Sequence, residues 1–197
     1  MIHAGFVIEN PLTNSRTLVL ESDVETAGKG WLLEVTCAPG AGPDIVEHFH
    51  ITWTETFEIV SGTAHYSLDG VQKTAQAGES FTVQPSQKHV HPWNAGKAPM
   101  VYRQRDVFAT PSAEAVQDTL GVFATTAGLA REGKVNPNGM AKHPLQLAAS
   151  MRVLIKHGGY ASNPSPSAQD TLGATLGKLA EAMGYRGVYP QFVVEQK

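Results

Sequence analysis

Cysteine is almost absent. Cys37 is the only one in 197 residues, so no disulfide can form within the chain. Long apolar runs are missing too: no stretch reaches the roughly 18 residues that a membrane-spanning helix needs. Charge of either sign is sparse, at 17% of residues and a net of −3, which gives no electrostatic case for nucleic acid or an anionic membrane surface as partner. The N-terminus MIHAGFVIENPL lacks a basic segment followed by an apolar run, so no signal peptide is expected. With the lone cysteine, this points to a reducing, cytoplasmic location. Internal repeats and long low-complexity tracts are also lacking.

The 42% of apolar residues suffices for a buried core. Residues 1–108 carry 12 acidic and 7 basic side chains, whereas residues 109–197 carry 6 and 8, and five of the eight histidines fall between positions 48 and 91. The first half reads as short β-strands rich in branched and aromatic residues, such as WLLEVTCA, ETFEIVSG and MVYRQRDVF. Asp69-Gly70 marks a hairpin turn. The second half changes to helical spacing. Val116, Leu120, Phe123 and Ala127 mark one helix, with Thr110 as its cap and Pro111 at its first position. A second runs from about His143 to Lys156, with Leu147, Met151, Leu154 and Ile155 on one stripe. A third begins near Ser165-Pro166 and carries Leu172, Leu176, Leu179 and Met183, a face expected to pack on the barrel or on the other helices. The division expected is a β-barrel over 1–108 and a helical extension over 109–197.

Within EHFHITWTE, His48 and His50 are two apart, so a strand aims both imidazoles to one side. Glu55 follows after five residues, which breaks that parity and requires a turn over Ile51–Thr54 to bring the carboxylate inward. Downstream, His89 and His91 again share a strand face, and either can supply the third imidazole. Three imidazoles and one carboxylate suit a divalent transition metal, and without a cation a buried carboxylate among neutral imidazoles is costly.

These residues resemble the paired motifs of the cupins. Gly42, His48, His50, Glu55 and Gly62 match the first motif, G-x5-H-x-H-x3,4-E-x6-G, at every position. The second, G-x5-P-x-G-x2-H-x3-N, matches loosely. Counting from Gly78 places its histidine on His89, but Pro85 is one residue late, the internal glycine is missing, and Asn94 lies five rather than four positions after His89. A one-residue insertion within Gln84–Asn94 accounts for the offset. His89 is the favoured fourth ligand, with His91 as the rival.

The resemblance covers residues 5–108 and implies a mainly β fold, a double-stranded β-helix or jelly-roll barrel with a C-terminal helical extension. It implies one divalent metal ion (Fe, Mn, Ni, Co or Zn) on His48, His50, Glu55 and His89, and a homodimer. Open positions on such a metal would bind a small-molecule ligand. The leading expectation is an oxygenase-type enzyme acting on a small organic substrate; the alternatives are a non-catalytic sugar or metabolite binder and a metal-dependent isomerase. Phe57, Ile59, Tyr66 and Trp93 are the candidate substrate-binding residues.

Overall fold

The computed structural model describes residues 1–40, 42–43, 45–94 and 96–194. Among the described residues ten strands precede the first helix: β1 (Val7–Asn10), β2 (Ser15–Glu21), β3 (Gly30–Cys37), β4 (His48–His50), β5 (Trp53–Ser61), β6 (Thr63–Leu68), β7 (Val71–Gln76), β8 (Ser80–Val83), β9 (His89–Asn94) and β10 (Met100–Phe108). An eleventh, β11 (Gly159–Ala161), comes from the extension. They form two antiparallel sheets, ordered β1-β2-β3-β10-β5-β8 and β11-β4-β9-β6-β7. This is a jelly-roll arrangement, mainly β, with helices at the C-terminal end.

Strand alternation explains the core. On β5, Trp53, Glu55, Phe57 and Ile59 are buried while Thr54, Thr56, Glu58 and Val60 are not. On β10 the buried series is Met100, Tyr102, Gln104, Asp106 and Phe108. Both strands therefore carry an apolar inner segment, with Phe57, Ile59, Met100 and Tyr102, that gives way to carboxylates. Asp106 sits opposite Glu55 in the β10–β5 register, and this fixes where polar chemistry enters the barrel. The β6–β7 hairpin turns through Asp69 and Gly70, both at positive φ, as a two-residue loop of that composition requires.

Helix α1 (Ala113–Arg131) buries Val116, Leu120, Ala124 and Ala127 into the same apolar cluster as the strands. Its cap is Ser112, whose hydroxyl accepts from Ala115 N at 3.1 Å, so Thr110 and Pro111 lie before the helix rather than opening it. Helix α2 (Pro144–Lys156) starts as expected, with His143 as cap and Pro144 at the first position. Lys156 and His157 tie its end to α1 through Glu114 and Asp118.

The third helical segment runs as α3 (Pro166–Leu172), a wide π-turn over Gly173–Gly177, and α4 (Lys178–Ala182). Its leucine stripe does not pack inward: Leu172, Leu176, Leu179 and Met183 are 41–60% exposed. Gly173, Gly177 and Ala180 take the buried side instead. The reason is close approach to α2: a Cβ on Gly177 would lie 2.8 Å from Arg152 Cδ and 3.0 Å from its Cβ, so only the small-residue face fits there. Among the described residues no helix is long and apolar enough to cross a membrane.

Candidate metal centre

The candidate site lies where the two sheets meet. Strand β4 supplies His48 and His50, β5 supplies Glu55, and β9 supplies His89 and His91. His48 pairs directly with His89 across β4 and β9. The turn that resets the parity is shorter than Ile51–Thr54: it occupies Ile51 and Thr52, and Trp53 already begins β5 with its side chain buried. From Trp53, alternation alone carries Glu55 inward.

One nitrogen or oxygen each from His48, Glu55, His89 and His91 lies within 4.8 Å of the others, so these four can hold a metal ion. Three of the expected ligands fall in this group, and the rival for the fourth position, His91, joins them. His50 does not belong to it. Its Nε2 lies 3.4 Å from Glu55 Oε2, and its ring stacks on Trp53. Glu55 is the hub: His89 Nε2 is 2.8 Å from its Oε2, His91 Nε2 is 3.3 Å from its Oε1, and Gln104 Nε2 donates to Oε1 at 2.6 Å. Gln104 Nε2 also donates to Asp106 Oδ1 at 3.2 Å.

The donor set fits a divalent cation in its tautomers as well as its composition. His48 Nδ1 is 2.9 Å from Val46 O and His89 Nδ1 is 3.1 Å from Gln87 O. A carbonyl oxygen only accepts, so each Nδ1 carries a proton and each neutral ring keeps its Nε2 lone pair for the centre. Among the described residues, His89 Nε2 is buried with no hydrogen bond of its own, despite its closeness to Glu55. Burial, then the nearby imidazoles of His89 and His91, hold His48 well below its ordinary pKa of 6.5, so it is neutral and ready to donate. Burial alone would raise Glu55. The imidazoles of His91, His50 and His89 around it outweigh this, and the carboxyl is held well below its usual range. Asp106 goes the other way: burial and then the Glu55 charge push its carboxyl well above the usual range.

The offset in the second motif has a physical form. Val90 pairs with Ser67 and Trp93 with His65, so His91 and Pro92 together oppose Tyr66 alone. This is a β-bulge with one extra residue on β9. It lets His89, His91 and Asn94 all be buried although the last two are three apart. Asn94 is structural: its Nδ2 donates to Cys37 O, Ala38 O and Ala98 O, and its Oδ1 accepts from Gly96 N.

A cavity of about 200 Å³ opens from the centre, with His48, His50, Glu55 and His91 in its wall. It runs between β3 and the helices α1 and α2. None of the four residues expected to bind substrate lines it. Phe57 and Ile59 are fully buried in the apolar part of the core, Tyr66 stacks on Phe81, and Trp93 lies beside His65. In their place stand Gln104 and Asp106, which the strand pattern of MVYRQRDVF already put on the face of Met100 and Tyr102, and helix residues that no strand argument reaches.

A family model described as "Cupin domain" matches residues 33–108, the stretch that contains every histidine and carboxylate of the centre. Residues 33–108 are a cupin domain. No curated protein matches the chain. Among solved structures the chain is similar to an uncharacterized conserved protein with a double-stranded beta-helix domain from Klebsiella pneumoniae, at 21% identity and TM-score 0.40, over 48% of this chain and 77% of that one. It is also similar to a predicted oxalate decarboxylase from Thermotoga maritima (14%, TM-score 0.45, 55% and 98%) and to an RmlC-like cupin from Shewanella frigidimarina (20%, TM-score 0.40, 52% and 83%). These matches cover about half of the chain, and the cupin domain with its donor cluster falls in its N-terminal part.

Proposed function

We propose that this chain is a metal-dependent enzyme of the oxygenase type acting on a small organic molecule, with His48, Glu55, His89 and His91 as ligands and His50 as a support for Glu55. The observation that carries the reading is that three of the four donors, His48, Glu55 and His91, form part of a cavity wall. A structural metal site is closed, whereas a catalytic one keeps a position open to substrate. A bound divalent metal supplies a Lewis-acidic centre with positions for an oxygen-donor substrate and for dioxygen. The residues of the chain do the rest. Glu55 stays ionised and balances part of the cation's charge. Gln104 holds Glu55 and Asp106 in one hydrogen-bonded chain. Asp106 faces the cavity with a carboxyl that holds its proton more firmly than usual.

Asp106 also favours a second reading, a metal-dependent isomerase in which this carboxyl moves a proton on the substrate. One set of measurements separates the readings. Protein reconstituted without oxygen with Fe(II), Mn(II), Ni(II), Co(II) or Zn(II) is assayed for metal content, for oxygen uptake and for solvent-deuterium incorporation into candidate substrates. One ion per chain with oxygen uptake is expected. Deuterium exchange without uptake selects the isomerase. Ligand-dependent stabilisation with neither reaction makes the protein a binding module and overturns both. A homodimer belongs to the same reading, and a light-scattering mass of one 21.1 kDa chain refutes it.

A further inference from the structure

The cavity has two unlike ends. At the inner end stand the imidazoles with Glu55, Gln104 and Asp106. Outward, β3 presents Trp31, Leu33 and Val35, and these face Phe123 of α1 and Leu147 and Met151 of α2. Among the described residues that line it, none is lysine or arginine, and the only carboxylates are Glu55 and Asp106. A ligand reaching from the centre to the helices therefore finds charged partners at one end only, because the polar side chains beyond it, among them Thr119 and Thr126 of α1 and Ser150 of α2, carry no charge. A phosphate, or a second carboxylate at the far end, would be buried with no cation beside it. The size is equally restrictive. An apolar protein cavity of about 150 Å³ takes one benzene, so about 200 Å³ takes one ring with a short substituent.

The helices are part of this selection. The large apolar residues of α2 that line the cavity, Leu147, Met151, Leu154 and Ile155, are only half-buried, as they are if an empty space lies beside them. The segment is held against the barrel by β11, which pairs residue for residue with β4: Gly159 with His50, Tyr160 with Phe49 and Ala161 with His48. The same extension thus braces the strand that carries two of the histidines and closes the outer wall.

We infer that the substrate is a single-ring molecule with one oxygen-donor group and an uncharged remainder, and that α1 and α2 of the extension, together with β3, select that remainder. The inference rests on the cavity being the substrate site of the proposed metal enzyme. Its test uses two phenols with the same head, 4-ethylphenol and 3-(4-hydroxyphenyl)propionate, which differ by a carboxylate at the far end. Binding is measured by calorimetry to metal-loaded and metal-free protein, with metal content determined separately. The expected result is that 4-ethylphenol binds at least about tenfold more tightly than the propionate.

Met151→Lys, which places a cation on the outer wall, should shrink or reverse that ratio by about tenfold with metal content unchanged. Met151→Ala, which removes bulk without adding charge, should favour 4-butylphenol over 4-ethylphenol and covers the case in which the lysine variant does not fold. Equal binding of the two phenols, no binding of either at millimolar concentration, or an unchanged ratio in a folded Met151→Lys overturns the inference. A chain that holds no metal yet keeps the preference for 4-ethylphenol refutes the proposed function and leaves this inference standing.

Discussion

Gln169→Leu tests how the extension supports the metal-bearing strand. Gln169 is fully buried. Its Oε1 accepts from Ala161 N at 3.1 Å, and its Nε2 donates to Ala161 O at 2.8 Å and to Pro164 O at 2.7 Å. Ala161 is the residue of β11 opposite His48. Leucine fills similar space but makes none of these bonds. Three hydrogen bonds at about 1 kcal/mol each give a loss of about 3 kcal/mol, and the stranded N–H of Ala161 adds to it. Urea unfolding should show that loss as a lower midpoint at unchanged slope. Hydrogen exchange locates it: the amides of Ile51 and Ser162, which bond to Gly158 O and Glu47 O on either side of the pairing, should exchange faster. Gln169→Glu sharpens the test. It turns a donor into a carboxylate oxygen facing the carbonyls of Ala161 and Pro164, so it should be worse than leucine at neutral pH and recover as the pH falls. A loss under about 0.5 kcal/mol for Gln169→Leu, or unchanged exchange at Ile51 and Ser162, refutes the idea that this side chain pins β11 to β4.

Glu55→Gln removes the charge on which three imidazoles and Gln104 converge, so competition with a chelator should show metal affinity falling by more than the roughly 10–100-fold that an outer-shell partner is worth; full retention would sink the ligand set. His89→Ala and His91→Ala should each lower metal content, because both rings lie in the four-residue group, and a normal content in either variant removes that residue from it. For the metal-free protein, acid denaturation should come in two stages. His48 and Glu55 both hold protons less readily when folded, so stability is full above about pH 6.5 and falls as the pH drops, first through the His48 range and then below 4.5 through that of Glu55; a flat profile between pH 7 and 5 contradicts this. Asp106 has the opposite sign. Its folded carboxyl binds a proton more tightly, so its contribution is lost as pH rises from 3.8, and Asp106→Asn should raise the melting temperature of the metal-free protein at neutral pH.

What the sequence made legible follows from which interactions are local. The period of two in ETFEIVSG and MVYRQRDVF is a property of neighbouring residues, and the barrel strands could be read from it. The spacing of His48, Glu55 and Gly62 is equally local, and so is the Asp69-Gly70 turn. The bulge was visible only as a miscount between Gly78 and Asn94. Which residues it displaced depended on the facing strand β6, and that is why spacing favoured His89 without excluding His91. Gln104 and Asp106 were within reach, since polar residues on the inward face of an otherwise apolar strand need a partner: Gln104 finds Glu55, and Asp106 finds Gln104.

The outer half of the site was not within reach, and the reason is general. Strand parity correctly turns Phe57 and Ile59 inward, yet inward is not the same as cavity-lining: where both sheets are apolar the core simply closes. Space remains where the inner faces turn polar and where α1 and α2 lean over β3 without filling it. The position of those helices is set by β11, three residues that pair with β4 across more than a hundred positions of chain, and by glycines 173 and 177, which decide that the leucine stripe faces out. Neither β11 nor the glycine contact leaves a periodic mark in the sequence. The metal-binding half of the site is thus written in local spacing, and the substrate-selecting half in the docking of the extension. Substitutions in α2 should accordingly change what binds while leaving the metal in place, and substitutions in β4, β5 and β9 should do the reverse.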